Sequence, residues 1–330
     1  MDIERRAFLG AAAALAAASG AQAQDYKDPA LVAADPRAPQ WPAKERFPLW
    51  PGSPPGAPRT LPRPEAQLYP DPNYPQIWVK GIAVPEVNVF RPALPDGSAI
   101  LAIPGGGYGF LAVQNEGLHV AERFNADRTT VFVLSYRLPG EGWANRAIVP
   151  LSDAQRAMRL IRARATELKI DPSRLGVLGF SAGGHLAADL SVSYDQSVYA
   201  PVDAADRISA KPAFSGLIYP VATFQSFTHA GSRDSLLGPN APPALVHARS
   251  PELHVNSATP PSFVVHAFDD GLVPIDNSLA WIAAARAAKT PVEAHLLTEG
   301  GHGFGLHLPA SNPGSRWPDL FALWMRQHGG

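Results

Sequence analysis

Apolar positions along the chain fall into short continuous runs that alternate with segments of helical spacing. The continuous runs predict strands at 77–79, 87–90, 99–103, 131–134, 175–178, 214–220, 261–268 and 292–297. Apolar residues at helical spacing predict helices at 118–125, 151–168, 185–190, 278–288 and 317–327. Strands that alternate with helices are typical of an α/β fold with a mostly parallel sheet and helices on both faces. The pattern therefore predicts one such domain over residues 77–330.

Two segments do not follow this pattern. Residues 221–258 have mixed character and little periodicity, and we expect them to form a small lid insertion over the site. Residues 24–76 carry many of the chain's 35 prolines, which are incompatible with regular helix and with a central strand. We expect an extended arm over the domain, anchored by aromatic side chains such as Trp41, Phe47 and Trp50. A disordered linker is the alternative.

The first residues have the composition of an export signal. Arg5 and Arg6 precede an apolar run at 7–18, and the small residues at 21–23 form a cleavage-like site. The pattern resembles a bacterial twin-arginine signal, and the apolar run is too short to span a bilayer. We therefore expect a signal peptide over 1–23 and a mature chain without a stable membrane anchor, located in the periplasm or secreted.

Composition and charge exclude several kinds of partner and site. The net charge is -1, without the basic surplus typical of nucleic-acid binding, so we expect no nucleic-acid partner. Arg156, Arg159 and Arg162 lie away from the apolar stripe of the predicted helix 151–168, and we expect them to face solvent. The absence of cysteine excludes a thiol nucleophile, an iron–sulfur cluster, a thiolate zinc site and disulfides.

One short run has the residues of a serine nucleophile. Residues 179–184 read Gly-Phe-Ser-Ala-Gly-Gly, after the apolar run 175–178 and before the helix-like run 185–190. This order matches the G-x-S-x-G elbow, in which glycines prevent collisions across a tight turn that carries the serine at its apex. The helix behind Ser181 would direct its first N–H groups towards a developing oxyanion. The alternative is a glycine-rich loop with an incidental serine.

A serine nucleophile needs a base and a carboxylate that orients the base. Asp269 and Asp270 follow the predicted strand at 261–268, and from the residues alone either could be the acid. His302 follows the last predicted strand in a glycine-flanked loop, a setting that no other histidine has. We therefore expect His302 to be the base. His229 and His254 lie in the predicted lid and are candidates to line the pocket.

We expect two backbone N–H groups to hold the oxyanion. One belongs to Ala182, directly after the serine, and the other to Gly106 or Gly107 in the run Pro-Gly-Gly-Gly-Tyr at 104–108. Glycine loops also bind phosphate, but this loop lacks the lysine of a Walker motif and the G-x-G-x-x-G register. We expect no cofactor and no metal, because serine-based hydrolysis needs no ion and the neighbouring histidines share no helical face.

These motifs resemble the α/β-hydrolase superfamily, in its branch of esterases and lipases with a glycine-rich oxyanion loop. Closer still is the similarity to bacterial carbohydrate acetyl esterases of the acetylxylan esterase kind, which extends over roughly residues 80–328. It is carried by the stretches 104–108, 115–117, 179–187, 267–274 and 300–305. One departure is Pro104, because the hormone-sensitive-lipase branch has histidine before its glycines.

The resemblance implies a role for each candidate residue. Ser181 would attack an ester carbonyl and His302 would take its proton. Asp270 would orient the imidazole, because it stands three residues before Val273-Pro274, as in the D-x-x-V-P pattern of the family. Asp269 would then cap the loop or face solvent. The tetrahedral anion would rest on the N–H groups named above, and water would hydrolyse the acyl-serine.

The resemblance also implies a substrate, an acetylated carbohydrate or another small ester. Candidate sugar contacts are Tyr108, Glu116, Trp143 and Tyr219, and Tyr108 is also a candidate to close a narrow acyl pocket. Packing beneath the arm or lid is the alternative for all four. Two further hypotheses stay open for the whole chain: an esterase for feruloyl or other small-molecule esters or a serine peptidase on the same fold, and a non-catalytic binding protein.

Overall fold

The computed structural model describes residues 24–26, 40–69 and 76–329, so the predicted signal peptide lies outside the described residues. The strands are β1 (Gln24–Tyr26), β2 (Glu45–Pro48), β3 (Glu65–Tyr69), β4 (Gln76–Lys80), β5 (Glu86–Phe90), β6 (Ala99–Ile103), β7 (Thr130–Ser135), β8 (Leu175–Phe180), β9 (Ser215–Ile218), β10 (Ser262–Ala267) and β11 (Val292–Leu297). The helices are α1 (His119–Ala126), α2 (Val149–Ala163), α3 (Ala165–Leu168), α4 (Ser181–Ser193), α5 (Ala230–Leu237), α6 (Pro243–Ala248), α7 (Asp276–Ala288) and α8 (Trp317–Gln327).

The main sheet has eight strands in the order β11-β10-β9-β8-β6-β7-β5-β2. Neighbours from β11 to β7 run parallel, whereas β5 and β2 are antiparallel to their neighbours. Strands β6 to β10 are buried along their whole length, which requires helices on both faces. The predicted fold class is confirmed.

Loops with reactive side chains leave the sheet from one edge. Strand β6 leads into the glycine loop, β8 into Ser181, β9 into Tyr219, β10 into Asp269 and Asp270, and β11 into the loop that carries His302. Because the carboxyl ends of neighbouring parallel strands lie side by side, residues that are far apart in sequence meet at this edge.

The proline-rich segment contributes to the main sheet. Strand β2 pairs with β5 as the outermost strand, the position in which a strand tolerates proline. Trp41, Phe47 and Trp50 are buried, and Trp50 Nε1 donates to Asp153 Oδ1 over 2.9 Å. Anchoring by these three aromatic side chains is confirmed. The sheet therefore begins before residue 77, the start predicted for the catalytic domain.

A second, smaller sheet lies outside the main one. Strands β1, β3 and β4 form it with antiparallel pairing, so the strand predicted at 77–79 does not belong to the main sheet. Val79 and Leu111 exchange two backbone hydrogen bonds of 3.0 and 2.9 Å. This bridge joins the small sheet to the chain just after the glycine loop.

The segment 221–258, predicted as a lid, contains α5, α6 and a 3₁₀ turn at Pro251–His254. Asn277 and Arg249 make several of the contacts that hold it on the domain. Asn277 Oδ1 accepts the N–H groups of residues 222–223, and Arg249 pairs with the buried Asp189 over 2.9 Å. No helix in the described part of the chain is long and apolar enough to cross a membrane.

The arginines of α2 do not lie on a solvated face, contrary to expectation. Arg156 is 1% exposed and pairs with Asp203 and Asp206. The other two arginines donate to backbone carbonyls between 208 and 211. The reason is that a later part of the chain packs across the polar side of the helix, which the periodicity of the helix itself does not reveal.

Candidate active site

Ser181 stands at the apex of the turn between β8 and α4. Its φ of 52° lies in the left-handed region, which a non-glycine residue rarely adopts. A Cβ on Gly179 would lie 2.3 Å from the carbonyl oxygen of Gly183, and a Cβ on Gly183 would lie 2.1 Å from that of Ile103. Both distances are shorter than real contacts allow, so the tight turn that presents Ser181 requires these two glycines.

The three residues predicted as nucleophile, base and acid form one hydrogen-bonded line. The Ser181 hydroxyl donates to His302 Nε2 over 2.9 Å. His302 Nδ1 donates to Asp270 Oδ2 over 2.7 Å. This order allows the imidazole to accept the serine proton while its other nitrogen stays bonded to a carboxylate.

Asp270 accepts hydrogen bonds on both of its oxygens. Its Oδ1 accepts the N–H groups of Leu272 and Val273 over 2.9 and 2.8 Å. Its Oδ2 accepts from His302 and, over 3.1 Å, from the buried His266 Nε2. Burial alone would raise the pKa of Asp270, but the hydrogen bonds from His266 and His302, the charge of His302 and the Val273 N–H hold it well below its ordinary value. The carboxylate is therefore ionised throughout the neutral range.

The loop that carries His302 is fixed on both sides. Asp269 Oδ1 accepts the N–H groups of residues 300–301 over 2.9 and 2.8 Å, so this aspartate caps the loop. On the other side of the imidazole, Asn115 Nδ2 donates to the carbonyl oxygen of Gly303 over 2.9 Å. These two contacts restrict where the imidazole can lie.

The glycine loop passes directly against the serine. A Cβ on Gly105 would lie 2.9 Å from Ser181 Cβ, so only glycine allows this approach. Gly106 and Gly107 have positive φ of 121° and 61°. Among the described residues no acceptor takes their N–H groups. The N–H of Ala182 lies in the first turn of α4, where an N–H has no partner within the helix. Their assignment as the oxyanion hole stays a prediction that this geometry allows.

Glu116 is not an exposed sugar contact, which corrects the expectation from the sequence. It is 4% exposed, and its Oε2 accepts the Gly105 N–H over 2.6 Å. Its Oε1 accepts from the Tyr219 hydroxyl over 2.9 Å, and that hydroxyl accepts the Gly305 N–H over 3.0 Å. Burial raises the pKa of Glu116, although the hydrogen bonds from Gly105 and Tyr219 oppose the shift. The carboxylate thus connects the glycine loop to the histidine loop.

The other three candidate sugar contacts are also buried and are corrected in the same way. Tyr219 is 0% exposed, and its ring centroid lies 4.9 Å from that of the triad imidazole. The Tyr108 hydroxyl lies 2.7 Å from Nδ1 of the buried His185. Trp143 is 4% exposed and packs under the guanidinium of Arg137, 5.0 Å from the ring centroid. All three rings are buried, so their large apolar surface contributes to packing and is not available to a sugar.

Sequence reasoning does not single out His266 as part of the site. It sits at the end of β10, four positions before Asp270, and its Nε2 donates to that carboxylate and to the Val273 carbonyl oxygen over 3.1 and 3.0 Å. One pattern in the sequence could have indicated His266. It lies near the carboxyl end of the strand whose following loop carries the predicted acid. The Ser278 hydroxyl donates to its Nδ1 over 2.7 Å, which fixes the ring.

Of the two lid histidines proposed to line the pocket, His229 lies near the site, and the lid contains a third histidine, His247. A Cβ on Gly107 would lie 4.0 Å from Cε1 of His229. His254 instead donates to the His247 carbonyl oxygen over 3.0 Å. The described residues contain no group of three histidine or acidic side chains placed to hold a metal ion.

Comparisons with known proteins find relatives that are named as esterases and hydrolases. The structure of an acetyl ester-xyloside bifunctional hydrolase from Caldicellulosiruptor lactoaceticus is 34% identical, with a TM-score of 0.70, over 87% of this chain and 97% of that one. An acetylxylan esterase of Xylanibacter ruminicola is 34% identical over 66% of this chain and 43% of its own length. An endo-1,4-β-xylanase B of Butyrivibrio fibrisolvens is 36% identical over 62% of this chain and 32% of its own. The chain thus spans less than half of these two curated relatives.

A parallel sheet that presents a serine, a histidine and a carboxylate in one hydrogen-bonded line is characteristic of α/β-hydrolases, and the relatives narrow this class to serine ester hydrolases. Within the class, the chain belongs to the BD-FAE family, whose model matches residues 89–284.

Proposed function

We propose that this chain is an exported serine carboxylesterase that removes acetyl groups from acetylated plant polysaccharide or oligosaccharide through an acyl-serine intermediate. The chemistry rests on one observation, the line of hydrogen bonds of 2.9 and 2.7 Å from Ser181 through His302 to Asp270. The substrate class is supported by the names of two relatives, an acetylxylan esterase and an acetyl ester-xyloside bifunctional hydrolase.

Acylation starts when the Ser181 oxygen attacks the ester carbonyl carbon and His302 Nε2 takes the hydroxyl proton. Asp270 stabilises the imidazolium through Nδ1. The carbonyl oxygen becomes an anion, which the N–H groups of Ala182 and of Gly106 or Gly107 stabilise. The tetrahedral intermediate then collapses, the bond to the alcohol oxygen breaks, and the imidazolium returns the proton to that oxygen.

Deacylation repeats these steps with water as the nucleophile. His302 takes a proton from a water molecule that attacks the acetyl carbonyl of the acyl-serine. The same N–H groups hold the second tetrahedral anion. Its collapse breaks the bond to the Ser181 oxygen, which regains a proton from His302, and acetic acid leaves. One ester and one water thus give one alcohol and one acetic acid, which releases its proton to solvent as acetate at neutral pH.

Acetate release from acetylated xylan and from other acetylated glycans, compared side by side, tests the substrate. We expect release from acetylated xylan, and Ser181→Ala should reduce it by at least about a thousandfold. A series of p-nitrophenyl esters should show preference for acetate over longer acyl chains. Cleavage of feruloyl esters, long-chain esters or peptides without acetate release from any glycan would contradict the proposal.

Export is a second part of the proposal and is supported by Arg5, Arg6 and the apolar run that follows them. In a bacterial host with a twin-arginine pathway, the full chain should be cleaved near Gln24 and leave the cytoplasm. Replacement of both arginines by lysine should retain it there, uncleaved. Unchanged export of the double variant would contradict a twin-arginine signal.

A further inference from the structure

His229 has one ring nitrogen fixed and the other available. It precedes α5, and its Nδ1 accepts the backbone N–H of Ser232 over 3.2 Å and lies 2.8 Å from the Ser232 hydroxyl. An imidazole nitrogen that accepts a backbone N–H carries no proton. The neutral ring therefore has its proton on Nε2, so this nitrogen is a donor.

The His229 ring lies next to the glycine loop. A Cβ on Gly107 would lie 4.0 Å from His229 Cε1, the ring carbon between Nδ1 and Nε2, and a Cβ on Gly231 would lie 3.2 Å from Nε2. Among the described residues no acceptor takes the Nε2 proton. Burial lowers the pKa of His229, the charge of His302 lowers it further, and Asp270 raises it. A lowered pKa favours the neutral ring, in which Nε2 carries the proton.

We propose that His229 is a specificity-determining residue whose Nε2–H donates to a hydroxyl or ring oxygen on the alcohol part of the bound ester. The inference rests on the proposed function, because it assumes a sugar as that alcohol. Backbone N–H groups already serve the carbonyl oxygen, whereas the alcohol oxygen must lie beside His302, which returns its proton. A donor on a ring next to the glycine loop, which passes against Ser181, is therefore placed to contact the alcohol part of the ester.

The test compares two acetate esters that differ in the alcohol part. A monoacetylated methyl β-xyloside offers hydroxyl and ring oxygens next to the ester, whereas phenyl acetate offers none. His229→Ala should lower kcat/KM for the sugar ester roughly tenfold, mainly through KM, and change kcat/KM for phenyl acetate by less than about threefold. His229→Gln, which restores an N–H donor, should recover part of the loss on the sugar ester.

The matched control is His254→Ala, which removes another lid histidine whose Nε2 is already bonded to the His247 carbonyl oxygen. It should leave both substrates within about twofold of wild type. Equal losses on both esters in His229→Ala would overturn the inference, as would no loss on either. If the wild type hydrolyses phenyl acetate but no acetylated sugar, the proposed function fails. If it hydrolyses both and His229→Ala does not discriminate, only this inference fails.

Discussion

Two adjacent aspartates have separate tasks in the site. Asp270 accepts on both oxygens, from His302 and His266 on one and from backbone N–H groups on the other. Among the described residues, Asp269 accepts only from the backbone of the histidine loop. The residues alone left the choice between them open, and the family pattern that favoured Asp270 selected the one bonded to the imidazole.

Asparagine substitutions distinguish the two positions. In Asp270→Asn the amide nitrogen replaces one carboxylate oxygen and must face a hydrogen-bond donor, whichever way the amide is turned. When the amide nitrogen faces His302, the imidazole proton must move from Nδ1 to Nε2. A proton on Nε2 prevents the imidazole from accepting the Ser181 proton. We expect kcat to fall by roughly a thousandfold or more. In Asp269→Asn the amide oxygen still accepts the loop N–H groups, so kcat should fall less than about tenfold. Steady-state kinetics with p-nitrophenyl acetate measures both, and a larger loss in Asp269→Asn would contradict the assignment.

Loops from different strands are joined beneath the site by a buried polar chain. Gly105 N–H donates to Glu116, Tyr219 donates to the same carboxylate, and the Tyr219 hydroxyl accepts from Gly305 N–H. The glycine loop and the histidine loop are thereby held at a fixed separation. Because oxyanion donors act only when their positions are pre-organised, we expect this link to position the predicted donors without contacting substrate.

Removal of this link should lower kcat/KM by more than a loss of folding stability would. Glu116→Ala leaves the Gly105 N–H and the Tyr219 hydroxyl without their acceptor, and we expect kcat/KM for p-nitrophenyl acetate to fall roughly 10- to 100-fold. Glu116→Gln should recover most of it. Glu141 is a matched control, since it also accepts one hydrogen bond on each oxygen, here from the backbone N–H groups at 81–82, without contacting the triad.

Glu141→Ala should lower the unfolding temperature but leave kcat/KM of the folded enzyme within about twofold of wild type. Thermal unfolding measured on all three variants separates the two effects. Equal kcat/KM losses in Glu116→Ala and Glu141→Ala would show that the Glu116 link has no role specific to the site.

The stability of the whole molecule should depend on pH through the buried His185. Burial lowers its pKa from 6.5 to about 4, and its two nitrogens contact the Tyr108 hydroxyl and the Arg249 carbonyl oxygen. Since the pKa of His185 is lower in the folded protein than in the unfolded chain, the unfolded chain binds more protons between pH 4 and pH 6.5. The contribution of His185 to the free energy of unfolding is therefore complete above pH 6.5 and falls as pH decreases towards 4.

Urea denaturation at pH 7 and at pH 4 measures this contribution when wild type is compared with His185→Gln, which does not titrate. The stability difference in favour of wild type should shrink by about 3 kcal/mol on acidification. A difference that does not change with pH would show that His185 is not held neutral in the folded protein.

Much of the molecule could be predicted from its sequence. The apolar runs 99–103, 131–134 and 175–178 are strands of the main sheet, because strands buried on both faces consist of continuous apolar residues. The three triad residues could be found because each lies just after a predicted strand, two of them between glycines, and such patterns are visible in a short stretch of sequence. The roles of Glu116 and Arg156 could not be predicted. Both side chains are buried against partners that lie more than 40 positions away along the chain.

The central claim is that Ser181 is the nucleophile, activated by His302 and Asp270. Mass spectrometry after treatment with a serine-directed phosphonate tests it most directly. We expect one label per chain, mapped to Ser181, with loss of p-nitrophenyl acetate hydrolysis in proportion to labelling, and no label on Ser181→Ala. A label on another residue, or undiminished hydrolysis by Ser181→Ala, would contradict the account.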